Sequence, residues 1–135
     1  MASSNDVDVI VLGSGAGGLT AALAAAQSGA SVALYEKAEL LGGSTAISGG
    51  VPWMPLNHHQ DELGIEDSRE DALAYLRSLS LDRMDPAMAE AFIDGARDTV
   101  TWLEASTDLE FSIIPMYPDY HPEHPGGKPQ GGRSL

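Results

Sequence analysis

The sequence predicts an α/β fold, on three observations in residues 7–36. An apolar run of strand length, Val7-Asp8-Val9-Ile10-Val11-Leu12, passes directly into the glycine-rich string Gly13-Ser14-Gly15-Ala16-Gly17-Gly18. An Ala/Leu-rich stretch of helical composition then runs from Leu19 to Ser28, with Gly29 placed to stop it. A second strand-length run, Ser31-Val32-Ala33-Leu34-Tyr35, ends on an acid, Glu36. Alone, a Gly-x-Gly-x-x-Gly string is weak evidence. Between a strand and a helix, with an acid closing the next strand, it reads as a Rossmann-like unit that holds a dinucleotide.

Each position in that unit has a physical task. Gly13 permits the tight turn out of the first strand. Gly15 has no Cβ, so a pyrophosphate can approach its backbone, and Gly18 allows the helix to pack closely on the sheet. The free N–H groups of Ser14, Gly15, Ala16 and Gly17 stand at the helix start, where the dipole also attracts phosphate. Glu36 can accept hydrogen bonds from ribose hydroxyls, and an acid there disfavours a 2′-phosphate, so NADP is not expected.

The next segment separates one dinucleotide from another. Lys37 to Gly50 carries two glycine pairs, Gly42-Gly43 and Gly49-Gly50, with Ser44, Thr45 and Ser48 between them. A plain NAD-binding unit would enter another helix and strand here. Such backbone can instead run close to a flat ring and offer it N–H and hydroxyl groups. That suits an extended FAD, with its pyrophosphate at the first motif and its isoalloxazine further along. The expected cofactor contacts are therefore Gly13, Ser14, Gly15, Ala16, Gly17, Gly18, Glu36, Lys37, Gly43, Ser44, Thr45, Ser48, Gly49 and Gly50.

Further along, the chain reads mainly as scaffold. Val51-Pro52-Trp53-Met54-Pro55 is Pro-punctuated and extended. The acids between Asp61 and Asp71 read as a solvated loop and helix start. Asp67 or Ser68 caps a helix whose apolar stripe is Ala72, Leu73, Leu76 and Leu79, with Asp71 completing a capping box on Ser68. Asp85-Pro86 opens another helix, faced by Ala89, Phe92, Ile93, Ala96, Val100 and Leu103. A partner-binding surface is the alternative use of these two helices. Glu110-Phe111-Ser112-Ile113-Ile114 reads as a strand. The closing stretch, Gly131-Gly132-Arg133-Ser134-Leu135, has no element to tie it down.

Composition excludes several classes. Seven Lys+Arg stand against 20 Asp+Glu, for a net charge of −13, which opposes nucleic-acid binding. No apolar run approaches the roughly 20 residues of a membrane helix, and the N-terminus lacks the basic and apolar regions of a signal peptide. The expected location is cytoplasmic, with peripheral attachment to a membrane left open. There is no cysteine, hence no disulfide and no thiol chemistry. His58-His59 sits in a polar loop with Asn57 and Gln60, and His121-x-x-His124 spans a proline in a Pro/Gly-rich loop. A metal site wants three or four ligands converging on a rigid frame, so no metal is expected.

Glu36-Lys37, Gly42-Gly43-Ser44-Thr45-Ala46 and Ser48-Gly49-Gly50, behind the first motif, resemble flavoproteins of the fumarate reductase/succinate dehydrogenase type. Within that group the chain is most similar to the 3-ketosteroid dehydrogenases, a likeness supported by Tyr117-Pro118-Asp119-Tyr120-His121-Pro122-Glu123, Gly126-Gly127 and the closing stretch. The resemblance spans nearly the whole chain but only the N-terminal part of such an enzyme. It implies that residues 1–135 are the N-terminal portion of a discontinuous FAD-binding domain. The capping substrate domain and the C-terminal FAD segment would come from a second polypeptide that completes the flavin and substrate domains. Some relatives hold flavin covalently through a His between the Ser and Thr of this segment, and no His occurs near Ser44-Thr45. The residue before that pair is Gly43, so the FAD is expected to be non-covalent.

The resemblance also implies a role for the tail. A tyrosine from this region hydrogen-bonds to a second tyrosine, which removes a proton alpha to the C3 ketone while a hydride passes from the adjacent carbon to flavin N5. Tyr120 is the first choice for that supporting residue and Tyr117 the second. Alternatively the segment is a structural turn capped by Asp119. The expected substrate is a small apolar ketone such as a steroid, a choice favoured by the scarcity of arginine. Two other readings stay open: a related flavoenzyme acting on another cyclic ketone or an unsaturated carboxylate, and a non-catalytic dinucleotide-binding subunit.

Overall fold

The β1 strand (Val9–Leu12) and the β2 strand (Val32–Tyr35) form a two-stranded parallel sheet, with Val9 opposite Val32 and Leu12 opposite Tyr35. These elements come from a computed structural model that describes residues 6–135. The chain divides into two units, Met1–Gly50 and Val51–Leu135.

In the first unit, α1 (Ala16–Gln27) connects the two strands and α2 (Gly43–Ile47) follows them. The start of the sheet is stapled by Asp8, whose Oδ2 accepts from the Ser31 N–H at 2.8 Å and the Ser31 hydroxyl at 2.7 Å. Helix α1 ends as its glycine predicts. Gly29 takes φ +89°, its N–H reaches Ala26 O at 3.0 Å, and the Ala30 N–H reaches Ala25 O at 3.1 Å. Gly18 is the point of closest approach, because a Cβ there would run into the carbonyl of Gly13.

The second unit is helical: α3 (His58–Leu63), α4 (Arg69–Ser80) and α5 (Pro86–Ser106). Ser68 is the α4 cap, its hydroxyl accepting from the Asp71 N–H at 3.0 Å. Asp85 caps α5 through the N–H groups of Ala87 and Met88, with Pro86 opening the first turn. Ala72 and Leu73 of α4 pack with Ala89 and Ile93 of α5, flanked by Trp53, Leu56, Leu76 and Met84. A second cluster joins Val100 to Ile113 and Leu135, with Met54, Ile65 and Phe111 alongside. Phe92, expected on the buried face, is 41% exposed, while Tyr75, outside the expected stripe, is buried.

Four expectations are corrected. His58-His59 opens α3 and is not in a loop: Asn57 precedes the helix, and Gly64 ends it at φ +65°. Residues 110–114 form no strand, because their N–H groups have no ladder partner. Phe111 N–H goes to the Glu104 carboxylate, and Ile114 N–H to Ser134 O. Asp67, expected in a solvated run, has a side chain only 2% exposed. The closing stretch is tied down after all. Residues 131–135 are all buried, and Arg133 O, the Leu135 N–H and Ser134 O bond to Met54, Pro52 and Ile114. Trp53 and Ser134 form an isolated antiparallel bridge. No helix among the described residues is long and apolar enough to cross a membrane.

Candidate functional site

The dinucleotide-binding residues of the first unit converge on Ser14. Its side chain is completely buried. Its hydroxyl donates to Glu36 Oε2 at 2.7 Å and accepts from the Gly42 N–H at 2.8 Å, while its N–H meets the same Glu36 oxygen at 2.9 Å. One small hydroxyl thus joins the first motif, the acid of β2 and the second glycine segment. The Ala38 N–H donates to Glu36 Oε1 at 2.9 Å. That bond, followed by those from Ser14, lowers the Glu36 pKa to about 2. The carboxylate is therefore ionised at any physiological pH, and lone pairs remain on Oε1 for a hydroxyl ligand.

The second glycine segment folds back onto the first, as a single turn of helix where the sequence suggested an open run. Gly42, omitted from the expected contacts, starts that turn at φ +109°, with Ala46 Cβ where its own Cβ would be. Thr45 Oγ1 accepts from the Ala16 N–H at 3.2 Å, and a Cβ on Gly43 would lie 3.4 Å from Gly15 Cα. Ser48 Oγ donates to Thr45 O and accepts from the Gly50 N–H. Ser44, Lys37, Gly49 and Gly50 are exposed. Helix α1 has a side-chain-free cap at Gly15 and no acid in its first turn. Two of the N–H groups expected to meet phosphate are already paired, Ser14 N–H with Glu36 and Ala16 N–H with Thr45. The side-chain-free glycine backbone at the helix start is the surface that fits a dinucleotide's pyrophosphate.

In the second unit, the tail builds a different site around a buried guanidinium. Arg133 is 0% exposed. Its Nε and Nη2 donate to Asp67 at 2.8 and 2.6 Å, and its Nη1 donates to Asp119 and Gly126 O, both at 2.9 Å. Its Cζ stands 5.4 Å from the Trp53 ring centroid and 5.9 Å from that of Tyr75. Burial pushes the Asp67 pKa up, but the bonds and charge of Arg133 outweigh it and the net direction is down. Asp119 also accepts from Trp53 Nε1 at 2.7 Å and from the Lys128 N–H at 2.9 Å. The turn that carries Tyr117 and Tyr120 is anchored at its centre by this acid. No local pattern in the sequence marks Arg133 for this task, because its acids lie 66 and 14 positions away.

Beside this anchor lies a cavity of about 320 Å³ lined by Val51, Trp53, Tyr75, Leu76, Leu79 and the Tyr117–His121 turn. The Tyr117 and Tyr120 rings meet edge to face, with centroids 6.3 Å apart, and the Tyr117 hydroxyl donates to the Tyr120 oxygen at 3.4 Å. That bond raises the Tyr117 pKa. Tyr120 is 82% exposed.

Residues 8–134 match the family model described as FAD binding domain. The chain is 44% identical over 128 residues to 4-oxocyclohexanecarboxylate 2-dehydrogenase of Sinomonas cyclohexanicum, covering 95% of this chain and 22% of that protein. It is 42% identical over 130 residues to 3-oxosteroid 1-dehydrogenase of Mycobacterium tuberculosis (strain ATCC 25618 / H37Rv), covering 96% of this chain and 23% of that protein. Among solved structures it matches 3-ketosteroid delta1-dehydrogenase from Sterolibacterium denitrificans in complex with 1,4-androstadiene-3,17-dione. The TM-score is 0.81 at 38% identity, over 95% of this chain and 22% of that one. The chain thus spans between a fifth and a quarter of the length of these relatives. It belongs to the FAD binding domain family, within the flavoproteins that include the 3-ketosteroid dehydrogenases, and its cofactor is FAD.

Proposed function

We propose that this chain is the FAD-holding part of an oxidoreductase that dehydrogenates a six-membered cyclic ketone, with 3-ketosteroids as the substrate class. The observation that carries the reading is the apolar cavity with two hydrogen-bonded phenols in its lining. The hydride acceptor is supplied by FAD when bound. In unit 1, Ser14, Gly15, Ala16, Gly17 and Gly18 would hold its pyrophosphate and Glu36 its ribose, with Gly43, Ser44, Thr45, Ser48, Gly49 and Gly50 further along.

The phenol pair has a direction. Because Tyr117 donates to Tyr120, the hydroxyl proton of Tyr120 is free to point outward. Tyr120 therefore suits the supporting role, donating to a second tyrosine that removes the proton alpha to the ketone. Tyr117, its pKa raised by the bond to Tyr120, stays protonated as the donor of the pair. A phenol near neutral pH serves as base only when a neighbour stabilises its anion. That base, the donors that polarise the ketone and the remaining flavin contacts would belong to a further polypeptide. Ile10, Leu12 and Tyr35 on the two strands are 61%, 80% and 60% exposed, an apolar surface suited to such a cover.

Two relatives bear names with different ring ketones, one a steroid and one a ring carboxylate. The cavity lining contains no Lys or Arg. Arg133, close behind it, is already matched to Asp67 and Asp119. The lining offers a substrate carboxylate neither Lys nor Arg, which favours the apolar steroid. The test is anaerobic addition of androst-4-ene-3,17-dione to the flavin-loaded protein together with its completing polypeptide. Bleaching of the oxidised flavin band is the expected result. An unbleached band that responds to 4-oxocyclohexanecarboxylate would move the substrate to the ring acid. Silence toward both would leave the non-catalytic subunit.

A further inference from the structure

Helices α3 and α5 bring together a group of side chains that the flavin site and the tyrosine cavity leave unused. His58 and His59 open α3, and their ring centroids are 4.1 Å apart. Both rings face one carboxylate of α5: His58 Nε2 lies 3.1 Å from Glu104 Oε2, and His59 Nε2 lies 2.9 Å from Glu104 Oε1. We propose that His58, His59 and Glu104 bind a divalent transition metal of the zinc class, which clamps α3 onto α5.

The far side of each ring decides what its near side can do. His58 Nδ1 lies 3.2 Å from Thr101 Oγ1. The Thr101 hydroxyl donates its proton to Arg97 O at 3.0 Å, so toward His58 its oxygen can only accept. His59 Nδ1 faces the Glu62 carboxylate at 3.8 Å. His58 Nδ1 therefore carries the hydrogen in its neutral ring and its Nε2 lone pair points at Glu104, while His59, whose Nδ1 lies beyond hydrogen-bond distance of Glu62, can carry its hydrogen on either nitrogen. A lone pair facing an anion is unfavourable. A single dication satisfies both nitrogens and the carboxylate together. An imidazole whose Nδ1–H donates to a hydroxyl or carboxylate while Nε2 stays open is the arrangement that orients metal-ligating histidines.

Distance and frame agree. One ligand atom from each of the three residues lies within 4.8 Å of the others. Ligands about 2.0–2.2 Å from zinc sit roughly 3.3 Å apart in a tetrahedron, so the group needs only a small adjustment. The side chains are 25%, 16% and 21% exposed, reachable by an ion yet half dry. Asn57 and Gly64 delimit α3, and α5 is 21 residues long. Where the sequence suggested a polar loop, a helical frame is thus present. Two imidazoles and a carboxylate suit zinc or cobalt, with water in the remaining position. The group His121, Glu123 and His124 is a natural control. It too can gather around an ion, but it sits on an exposed turn, and His124 Nδ1 faces the Ser78 hydroxyl.

The test is calorimetric titration of Zn²⁺ into tag-free, chelator-stripped, flavin-loaded protein, with Co²⁺ as an absorbance probe of geometry. One ion per chain and a tetrahedral Co²⁺ spectrum are expected. His59→Ala should weaken Zn²⁺ binding by more than about 100-fold, and Thr101→Val by about 10-fold, as loss of an orienting partner does. The double variant His121→Ala/His124→Ala should bind as the parent does. Absence of binding would overturn the proposal, as would unchanged affinity in His59→Ala, or loss of the ion in the His121/His124 variant. If Glu104→Gln loosens α5, the His59→Ala and Thr101→Val titrations still decide the matter, because both positions are partly solvent-facing.

Discussion

Replacing Arg133 by methionine isolates the contribution of the buried guanidinium. Methionine roughly conserves the volume and removes the charge. What remains is two acids, Asp67 and Asp119, whose side chains are 2% and 1% exposed. Asp67 keeps a distant cation in Lys128 Nζ at 3.6 Å, whereas Asp119 keeps only the Trp53 and Lys128 N–H donors. Removing one partner of a buried pair costs about 3–5 kcal/mol, a large share of the roughly 5–15 kcal/mol that holds a domain together. The pH dependence should also reverse. In the parent, Asp67 has a lowered folded pKa. Its contribution is present above the unfolded value of about 3.9 and is lost as pH falls through the folded value. Without Arg133 burial dominates, the folded pKa rises, and stability recovers as pH falls toward about 4. Urea denaturation at about pH 7 and pH 5, read by tryptophan fluorescence, measures both effects. A deficit below about 1 kcal/mol at pH 7, or one that fails to shrink at pH 5, refutes the reasoning.

Gly15→Val should leave the fold intact and abolish flavin retention. Its backbone sits at φ −66° and ψ 174°, which valine accepts, and its Cβ would meet only Thr45 Oγ1 and Gly42 O at 3.9 and 4.0 Å. Near-parent melting with no bound flavin is the expected pairing, and retained stoichiometric flavin would reassign the motif. Gly18→Ala is the converse. Helix propensity alone predicts a gain of about 1 kcal/mol, but the overlap with Gly13 turns this into a loss of about 1–3 kcal/mol, measurable as a lower midpoint. Tyr120→Phe should retain flavin and slow turnover about 10²-fold. Tyr117→Phe should slow it less, because it removes only the group that orients Tyr120.

The first unit was legible because its signals are local. Strand, turn, helix and acid follow one another within thirty-odd residues, and Gly13, at φ +101°, and Gly18, against the Gly13 carbonyl, stand where no side chain fits. Asp85-Pro86 and Ser68-x-x-Asp71 were readable for the same reason, since caps act over three or four positions. Asn57 and Gly64 offered a comparable signal for α3, but a six-residue helix has too little apolar periodicity to stand out. The second unit hid what depends on distant pairing. Arg133 meets Asp67 across 66 positions and Asp119 across 14, and no periodicity announces either bond. The apolar run at 110–114 carried strand composition, yet a strand needs a partner with free ladder positions, and none lies beside it. Of the site, the cofactor contacts followed from glycine sterics. That Ser14 joins them, and that Tyr117 donates to Tyr120, required coordinates.

The closure of the second unit by residues 131–135 has a consequence for the order in which the protein assembles. The β1–α1–β2 segment closes over 23 positions, from Val9 to Val32, and all its partners emerge early as the chain leaves the ribosome. The second unit closes late. Pro52, Met54 and Asn57 wait for Leu135, Arg133 and Gly132, some eighty positions later. Until those residues emerge, Asp67 and Asp119 lack their cation and the two helices α4 and α5 lack part of their packing. A nascent chain arrested just before Gly131 should therefore hold a structured first unit beside an unfinished helical one, accessible to chaperones and proteases.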